Sequence, residues 1–402
     1  MSAGQPGTLS ASGLRRVLVV LCVTEITSWG VLYYAFPVLA PSIAADSGWS
    51  ISAVTAAFSA GLLVSAIVGI PVGRLLDRIG PRAVMTTGSV LALPAVLGIA
   101  WAPTLPVFVA AWLLAGVAMA GTLYAPAFAA LTRWWGPRRV TALTAVTLLA
   151  GLASTVFAPL TAALLGPLGW RQTYVVLAVV LAVVTVPAHL FGLRGHWPAP
   201  DPAEHAEHVD RTPAAIVRSR PFVLLVMAVG LASFAAFAVV VNQVPLFIER
   251  GMSTSAAAWA LGLGGVGQVL GRLGYRRLAA ATGVRSRGVV VLTSAAAATA
   301  MLAALPGPAV LLVGAAMLAG AARGVFTLLQ ATAISDRWGA THYGRLNGLL
   351  SAPAMVATAV APWAGAAVAQ ALGGYPGLFG LLAGLAAVAA ILMAGSVPRR
   401  PE

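Results

Sequence analysis

The chain contains no lysine, one cysteine and little charge of any kind. Only 10 of its 402 residues are Asp or Glu, and charged residues make up 8% of the total. A soluble domain carries about 25%, so a fully water-exposed surface is excluded. The single cysteine, Cys22, rules out a disulfide framework and a cysteine-based metal site. Long polar stretches are scarce as well. The exception is residues 194–220, which run His196-Trp197-Pro198-Ala199-Pro200-Asp201-Pro202 and then carry Glu204, Glu207 and Asp210. That polar, Pro-rich composition predicts a flexible linker.

Apolar residues make up 60% of the chain, and its mean hydropathy is +0.93. A bilayer must solvate most of such an exterior. About 20 apolar residues form a span. Twelve candidates follow, at roughly 15–40, 51–72, 83–102, 105–131, 140–165, 171–193, 221–248, 254–274, 288–305, 308–333, 345–371 and 375–397. The first follows Arg15 and Arg16 and reaches Ala40, too long for the apolar region of a signal peptide. The expected fold is all-α and polytopic, with twelve membrane helices in two six-helix bundles, 1–193 and 221–402, joined by the linker 194–220.

A net charge of +14 suggests nucleic acid until the arginines are placed. They sit in short gaps between apolar runs. With the N-terminus inside, all 24 lie on the cytoplasmic side except Arg171 and Arg250, in outside gaps, and Arg323, within a span. This is the orientation signal of a membrane protein rather than a nucleic-acid interface. It predicts a multi-pass protein of the cytoplasmic (inner) membrane with both termini cytoplasmic. The 43 Gly and 26 Pro are compatible with membrane helices. Small residues four apart (Gly61, Ser65 and Gly69; Gly267 and Gly271; Gly344, Gly348 and Ala352) predict close helix packing.

The halves repeat weakly. The second span ends Gly73-Arg74-Leu75-Leu76-Asp77-Arg78-Ile79-Gly80-Pro81-Arg82, and the eighth ends Gly271-Arg272-Leu273-Gly274-Tyr275-Arg276-Arg277. The fourth ends Arg133-Trp134-Trp135-Gly136, and the tenth ends Asp336-Arg337-Trp338-Gly339. Equivalent positions lie about 200 residues apart, and such repeats mark transporters.

Residues 73–82 match the pattern G-x-L-x-D-R-x-G-x-R throughout, in the cytoplasmic loop between spans 2 and 3, and there the chain resembles the major facilitator superfamily. The second-half copy has Tyr275 in place of the Asp. The resemblance implies twelve spans, with spans 1, 4, 7 and 10 lining a central cavity. It also implies that Gly73, Asp77, Arg78, Gly80 and Arg82 form a charge cluster that latches one conformation. Asp77 is expected to join the neighbouring arginines, or to face the positive N-terminus of a helix such as span 11; plain topology anchoring is the simpler alternative. A narrower resemblance, to the monocarboxylate and oxalate/formate-type porters, rests on three stretches. These are Ser47-Gly48-Trp49-Ser50, Gly169-Trp170-Arg171, and Val244-Pro245-Leu246-Phe247 with Gly251-Met252-Ser253. The chain departs from that branch in span 1, where only Glu25, Trp29 and Gly30 are similar to its motif, and in span 8, which lacks a charge before Arg272.

Two charges fall inside spans. Glu25 is about ten residues into span 1, and Arg323 is about ten from the inner end of span 10, so helix rise places them at similar depth. Charges at that depth are costly and usually face a cavity or a partner. Three readings stay open: Glu25 as proton carrier, Arg323 as anion ligand, or the two paired as a structural lock. Trp29 shares a helical face with Glu25, and Tyr33 lies at its edge; Thr327 and Gln330 share one with Arg323. Tyr124 of span 4 and Asn242 and Gln243 of span 7 complete the candidate substrate or proton site, with interhelical hydrogen bonding as the alternative for each. His196, His205 and His208 read as solvated linker residues, His342 as a loop residue, and His189 as a core or interface residue.

The expected function is secondary transport of a small, carboxylate-like anion by alternating access, with proton symport. Proton-antiport efflux of amphipathic compounds is the alternative. The degenerate span-5 stretch Gly151-Leu152-Ala153-Ser154-Thr155-Val156-Phe157-Ala158-Pro159, which lacks the Gly-Pro motif of drug antiporters, counts against it. A membrane-embedded enzyme would need a nucleophile–base pair or metal ligands at depth, which the sequence does not supply. A sensor would be expected to carry a soluble domain. The expected partners are the substrate, protons and the lipid bilayer. No cofactor, metal or nucleic acid is expected, and the working unit is expected to be a monomer.

Overall fold

The computed structural model describes residues 9–197, 213–338 and 343–398. The chain divides into two compact units, Met1–Asp201 and Pro202–Glu402. All regular elements among the described residues are helical.

The first unit contains α1 (Ala11–Trp29), α2 (Ala35–Ser47), α3 (Ile51–Ile79), α4 (Pro81–Trp101), α5 (Leu105–Thr122), α6 (Tyr124–Trp135), α7 (Arg139–Ala150) and α8 (Ala153–Pro187). The second contains α9 (Pro213–Val217), α10 (Arg220–Glu249), α11 (Thr254–Ala281), α12 (Val284–Ala304), α13 (Ala309–Thr332), α14 (Ser335–Trp338), α15 (Tyr343–Ala371) and α16 (Tyr375–Ala394). The local signals that stop and start these helices recur between units. Gly48 (φ 72°) ends α2, and the Ser50 hydroxyl caps α3 by accepting from the Ala53 N–H at 3.1 Å. In the second unit Gly251 (φ 82°) follows α10, and the Ser253 hydroxyl accepts from the Ala256 N–H at 3.2 Å. Left-handed glycine and side-chain capping supply the turn and satisfy the orphan donors.

Helix packing repeats too. α3 meets α5 where Gly61 lies against Gly116, and α11 meets α13 where Gly264 lies against Gly320. A Cβ on Gly116 or Gly320 would overlap the carbonyl oxygen of its partner glycine. Lipid supplies no hydrophobic drive between helices, so such approaches supply van der Waals contact instead. Gly267 and Gly271 also press on the α13 backbone, as their spacing predicts, whereas Gly69 and Gly348 face open space. Each unit keeps an apolar interior: Leu14, Leu21, Met85 and Leu131 in the first, Phe222, Leu292, Phe326 and Met393 in the second. Ile67, Val183, Val310 and Ile391 point outward instead, an exterior suited to acyl chains.

Among the described residues, ten segments are long and apolar enough to cross a membrane. Two features account for the difference from the twelve read in the sequence. The expected spans 140–165 and 171–193 fall within one segment, Thr141–Gly192, which breaks at Gly169 (φ 71°). The expected span 254–274 forms α11, 28 residues long, but its glycines and Gln268 keep its hydropathy low. Both ends of the expected linker carry packed side chains. Trp197 packs on the first unit, and Ile216 of α9 joins the core of the second, because both side chains find apolar surface. Residues 198–212, with His205 and His208, lie outside the described residues, as does His342.

Candidate functional site

In the first unit the site is built around a break in helix register. α1 passes into a π turn, Gly30–Tyr34, in which the Ala35 N–H reaches back to the Gly30 carbonyl. Gly30 lies against the Phe157 ring of α8 so closely that a Cβ would overlap it. Single π turns are frequent at functional sites. This one brings both Tyr33 and Tyr34 against Trp29, with ring centroids 5.4 and 6.5 Å away. Tyr124 of α6 closes on Trp29 at 5.0 Å and stacks on Phe128 at 4.9 Å. A continuous α-helix would have kept Phe36 on the Glu25 face; instead Phe36 stacks on Phe58 of α3 at 4.2 Å.

Glu25 is fully buried at the foot of this aromatic cluster. Trp29 Nε1 donates to its Oε2 at 3.1 Å, one helical turn away. Oε1 is buried and has no donor among the described residues, and neither does the Ser28 hydroxyl have a partner. The structure therefore brings together Glu25, Trp29, Tyr33 and Tyr124, and adds Tyr34.

In the second unit Arg323 of α13 donates from Nη2 to Gln268 Oε1 of α11 at 2.8 Å. Its Nε is buried with no acceptor among the described residues. Gln243 of α10 lines the same cavity as Arg323, and its Nε2 is also without an acceptor there. Asn242 serves packing: it donates to the Ala238 carbonyl of its own helix at 2.9 Å and lies against Gly365 of α15. Thr327 is exposed, and its hydroxyl is used within the helix, donating to the Arg323 carbonyl at 3.0 Å. Gln330 is half-buried farther along α13.

The 73–82 segment spans the end of α3 and the start of α4. Asp77 accepts from Arg133 Nη2 of α6 at 2.6 Å. The partner is thus across the unit rather than one of the neighbouring arginines. Arg78 is exposed, and Arg82 donates from Nε to the Leu190 carbonyl at 2.8 Å. Gly80 (φ 81°) caps α3, its N–H reaching the Leu76 carbonyl at 2.8 Å, while Gly73 has open space around it. Trp197 covers the cluster. Its Nε1 donates to the Asp77 carbonyl at 3.1 Å, and the Arg133 guanidinium lies 4.6 Å from its ring centroid.

The equivalent region of the second unit uses different chemistry. Tyr275, which replaces the acid, shares a hydrogen bond with the Thr332 hydroxyl at 2.8 Å. Arg287 pairs with Asp336. Arg337 donates to the Ser396 carbonyl and hydroxyl, both at 3.0 Å. Burial pushes the Arg337 guanidinium down to about 10, against the opposing influence of Asp336, so it stays charged at neutral pH.

Sequence reading missed Gln268, Arg133 and Trp197. Gln268 was visible as the lone amide on the glycine face of α11. The other two depend on tertiary contacts. His189 is buried, with Nδ1 2.8 Å from the Ser89 hydroxyl, which fits the core role expected of it.

The family model described as Major Facilitator Superfamily matches residues 21–317 and 249–402. Monocarboxylate transporter 13 of Bos taurus is 28% identical over 254 residues, 62% of this chain and 56% of that protein. The chain spans about half the length of the curated relatives it matches. A bacterial homologue of the human lysosomal transporter Spinster, inward-facing and unoccupied, superposes with a TM-score of 0.70 at 15% identity, over 96% of this chain and 95% of that one. The nucleoside transporter NupG, a point mutant, gives 0.73 at 14% identity over 94% and 98%. At these identities the solved structures establish the fold.

Proposed function

Because the chain belongs to the major facilitator superfamily, we propose that it is a secondary active transporter that moves a small, carboxylate-like organic anion by alternating access, with protons as the coupling ion. The observation that carries this reading is the arrangement of two membrane-depth charges, each held by one hydrogen bond and each keeping a further polar atom without a partner among the described residues. Trp29 fixes Glu25 and leaves Oε1 for a proton. Gln268 fixes Arg323 and leaves Nε for an acceptor. A guanidinium matches carboxylate geometry, and the similarity to monocarboxylate transporters supports the same class.

In this reading the protein sits in the cytoplasmic membrane with both termini inside, as arginine placement predicts. The two six-helix halves are the moving bodies, and the Asp77–Arg133 cluster latches one conformation. Proton-antiport efflux is the second reading, favoured by the aromatic cluster of Trp29, Tyr33, Tyr34 and Tyr124.

The test is uptake by purified protein in liposomes across a panel of labelled carboxylates. Saturable carboxylate uptake that Arg323→Gln abolishes is the expected result. Competition by cationic dyes with no carboxylate uptake would replace this reading with efflux.

A further inference from the structure

We propose that the second unit holds an anionic phospholipid on its outer face, with one acyl chain in a groove between α12 and α13 and the phosphate at Arg285. The site is separate from the charges assigned to transport, and its occupancy does not depend on what the protein carries.

The internal repeat shows where the groove comes from. In the first unit α4 and α5 close on each other at Gly88 and Gly121, where a Cβ on either would press on the other's backbone. Half a chain later the counterpart of Gly88 is Gly288, which lies against Met393 of α16 instead. α13 in turn is drawn onto α11, where Gly267 and Gly271 meet the backbone carbonyls of Met317 and Ala321. Between α12 and α13 a groove of about 410 Å³ stays open. Its wall is small and apolar, with Ala297, Ala298 and Ala322 along it and Ser294 as its one polar side chain. Val290, Met301 and Leu318 flank it as exposed side chains, so it opens sideways onto the acyl chains.

Apolar walls of that extent forfeit van der Waals contact if nothing fills them, and a single hydroxyl gives water too few partners to settle there. From Val290 to Met301 the groove runs roughly 16 Å by helix rise, which matches one leaflet of a ~30 Å hydrocarbon core. That length fits a hydrocarbon chain lying along the helix rather than a compact solute.

The polar end of the groove sets the head group. A shallow hollow lined by Gly283, Arg285 and Ser286 adjoins it, and Val290 belongs to both. Arg285 is exposed there, and Arg276 and Arg277 are exposed just before Leu278 of the groove wall. None of the three has an acid partner among the described residues, and Asp336, which reaches α12, is taken by Arg287. A guanidinium matches phosphate geometry. No Asp or Glu lines the groove or the hollow, so the ammonium of a zwitterionic head would meet guanidinium and no carboxylate. The site therefore selects a head of net negative charge, as in phosphatidylglycerol. In the orientation proposed above this is the cytoplasmic leaflet, whose anionic lipids attract basic side chains.

The experiment is native mass spectrometry of the purified full chain, equilibrated in detergent with equal amounts of phosphatidylglycerol and phosphatidylethanolamine of the same tails. The wild type should retain one phosphatidylglycerol in preference to phosphatidylethanolamine, and added inorganic phosphate should not displace it. Arg285→Gln should weaken retention about fivefold. Ala297→Phe, a change on the exposed side of α12 that fills the groove, should abolish it with the arginines intact. Arg218→Gln, which removes an exposed arginine elsewhere on the unit, should bind like the wild type. Equal retention of the two lipids would overturn the proposal, as would displacement by phosphate alone. So would wild-type retention in Arg285→Gln or Ala297→Phe, or a loss in Arg218→Gln as large as that in Arg285→Gln. None of these outcomes bears on carboxylate uptake, so the lipid site and the transport reading stand or fall separately.

Discussion

Trp197 donates its indole N–H to the backbone carbonyl of Asp77 at 3.1 Å, which fastens the segment after α8 onto the turn between α3 and α4. The same ring carries the Arg133 guanidinium at 4.6 Å and meets Trp134 edge-on at 5.5 Å. The hydrogen bond contributes about 0.5–1.5 kcal/mol, and the cation–π contact about 0.5–1 kcal/mol. Trp197→Ala should speed amide exchange across residues 73–82. Trp197→Phe, which keeps the ring and loses the donor, should fall between alanine and wild type.

The Asp77–Arg133 pair is partly solvated: the Asp77 side chain is 55% exposed. Exposed pairs contribute under about 1 kcal/mol to stability, and salt screens them. Asp77→Asn should therefore barely change thermal melting in detergent, yet it should slow transport if the pair latches one conformation. A melting loss as large as that of a core cavity variant would assign the pair a structural role.

Two glycines of the same motif should respond in opposite ways. Gly80 has φ 81°, and a Cβ there would sit 3.1 Å from the Trp197 ring. Gly80→Ala should cost about 1–3 kcal/mol from the backbone alone, because φ 81° with ψ 170° is a region essentially reserved for glycine. Gly73 lies within α3 in open space, so Gly73→Ala should be neutral or stabilising by about 0.4–1 kcal/mol. Thermal melting of the two variants side by side checks the contrast.

The α11–α13 contact makes a similar prediction. A Cβ on Gly320 would overlap the Gly264 carbonyl, so Gly320→Ala must push the helices apart at a cost of about 1–3 kcal/mol. Gly314, on the same helix with open space around it, should accept alanine without loss. Folded yield after extraction and melting temperature report the difference.

Much of this architecture was legible in local chemistry. Gly267 and Gly271 make the close contact that their four-residue spacing implies. Glu25 and Trp29 were legible as a pair because four residues is one helical turn. The partner of Asp77 was not: Arg133 comes from 56 residues away, and spacing says nothing about such contacts. The π turn at Gly30–Tyr34 escaped for a related reason: Gly30 packs against the Phe157 ring of another helix, a contact that spacing does not reveal. α11 was read as a span on its apolar run, yet its glycines lower its hydropathy, because the face it presents to α13 is made for contact rather than for lipid.

The most direct test of the central claim is the effect of Glu25→Gln on carboxylate uptake into proteoliposomes, with and without an imposed inward proton gradient. Glutamine keeps an acceptor for Trp29 and cannot carry the proton. The wild type should accumulate the acid when the gradient is applied. The variant should lose that accumulation while still exchanging labelled for unlabelled acid across the membrane. Gradient-driven accumulation that survives unchanged in Glu25→Gln would contradict the account.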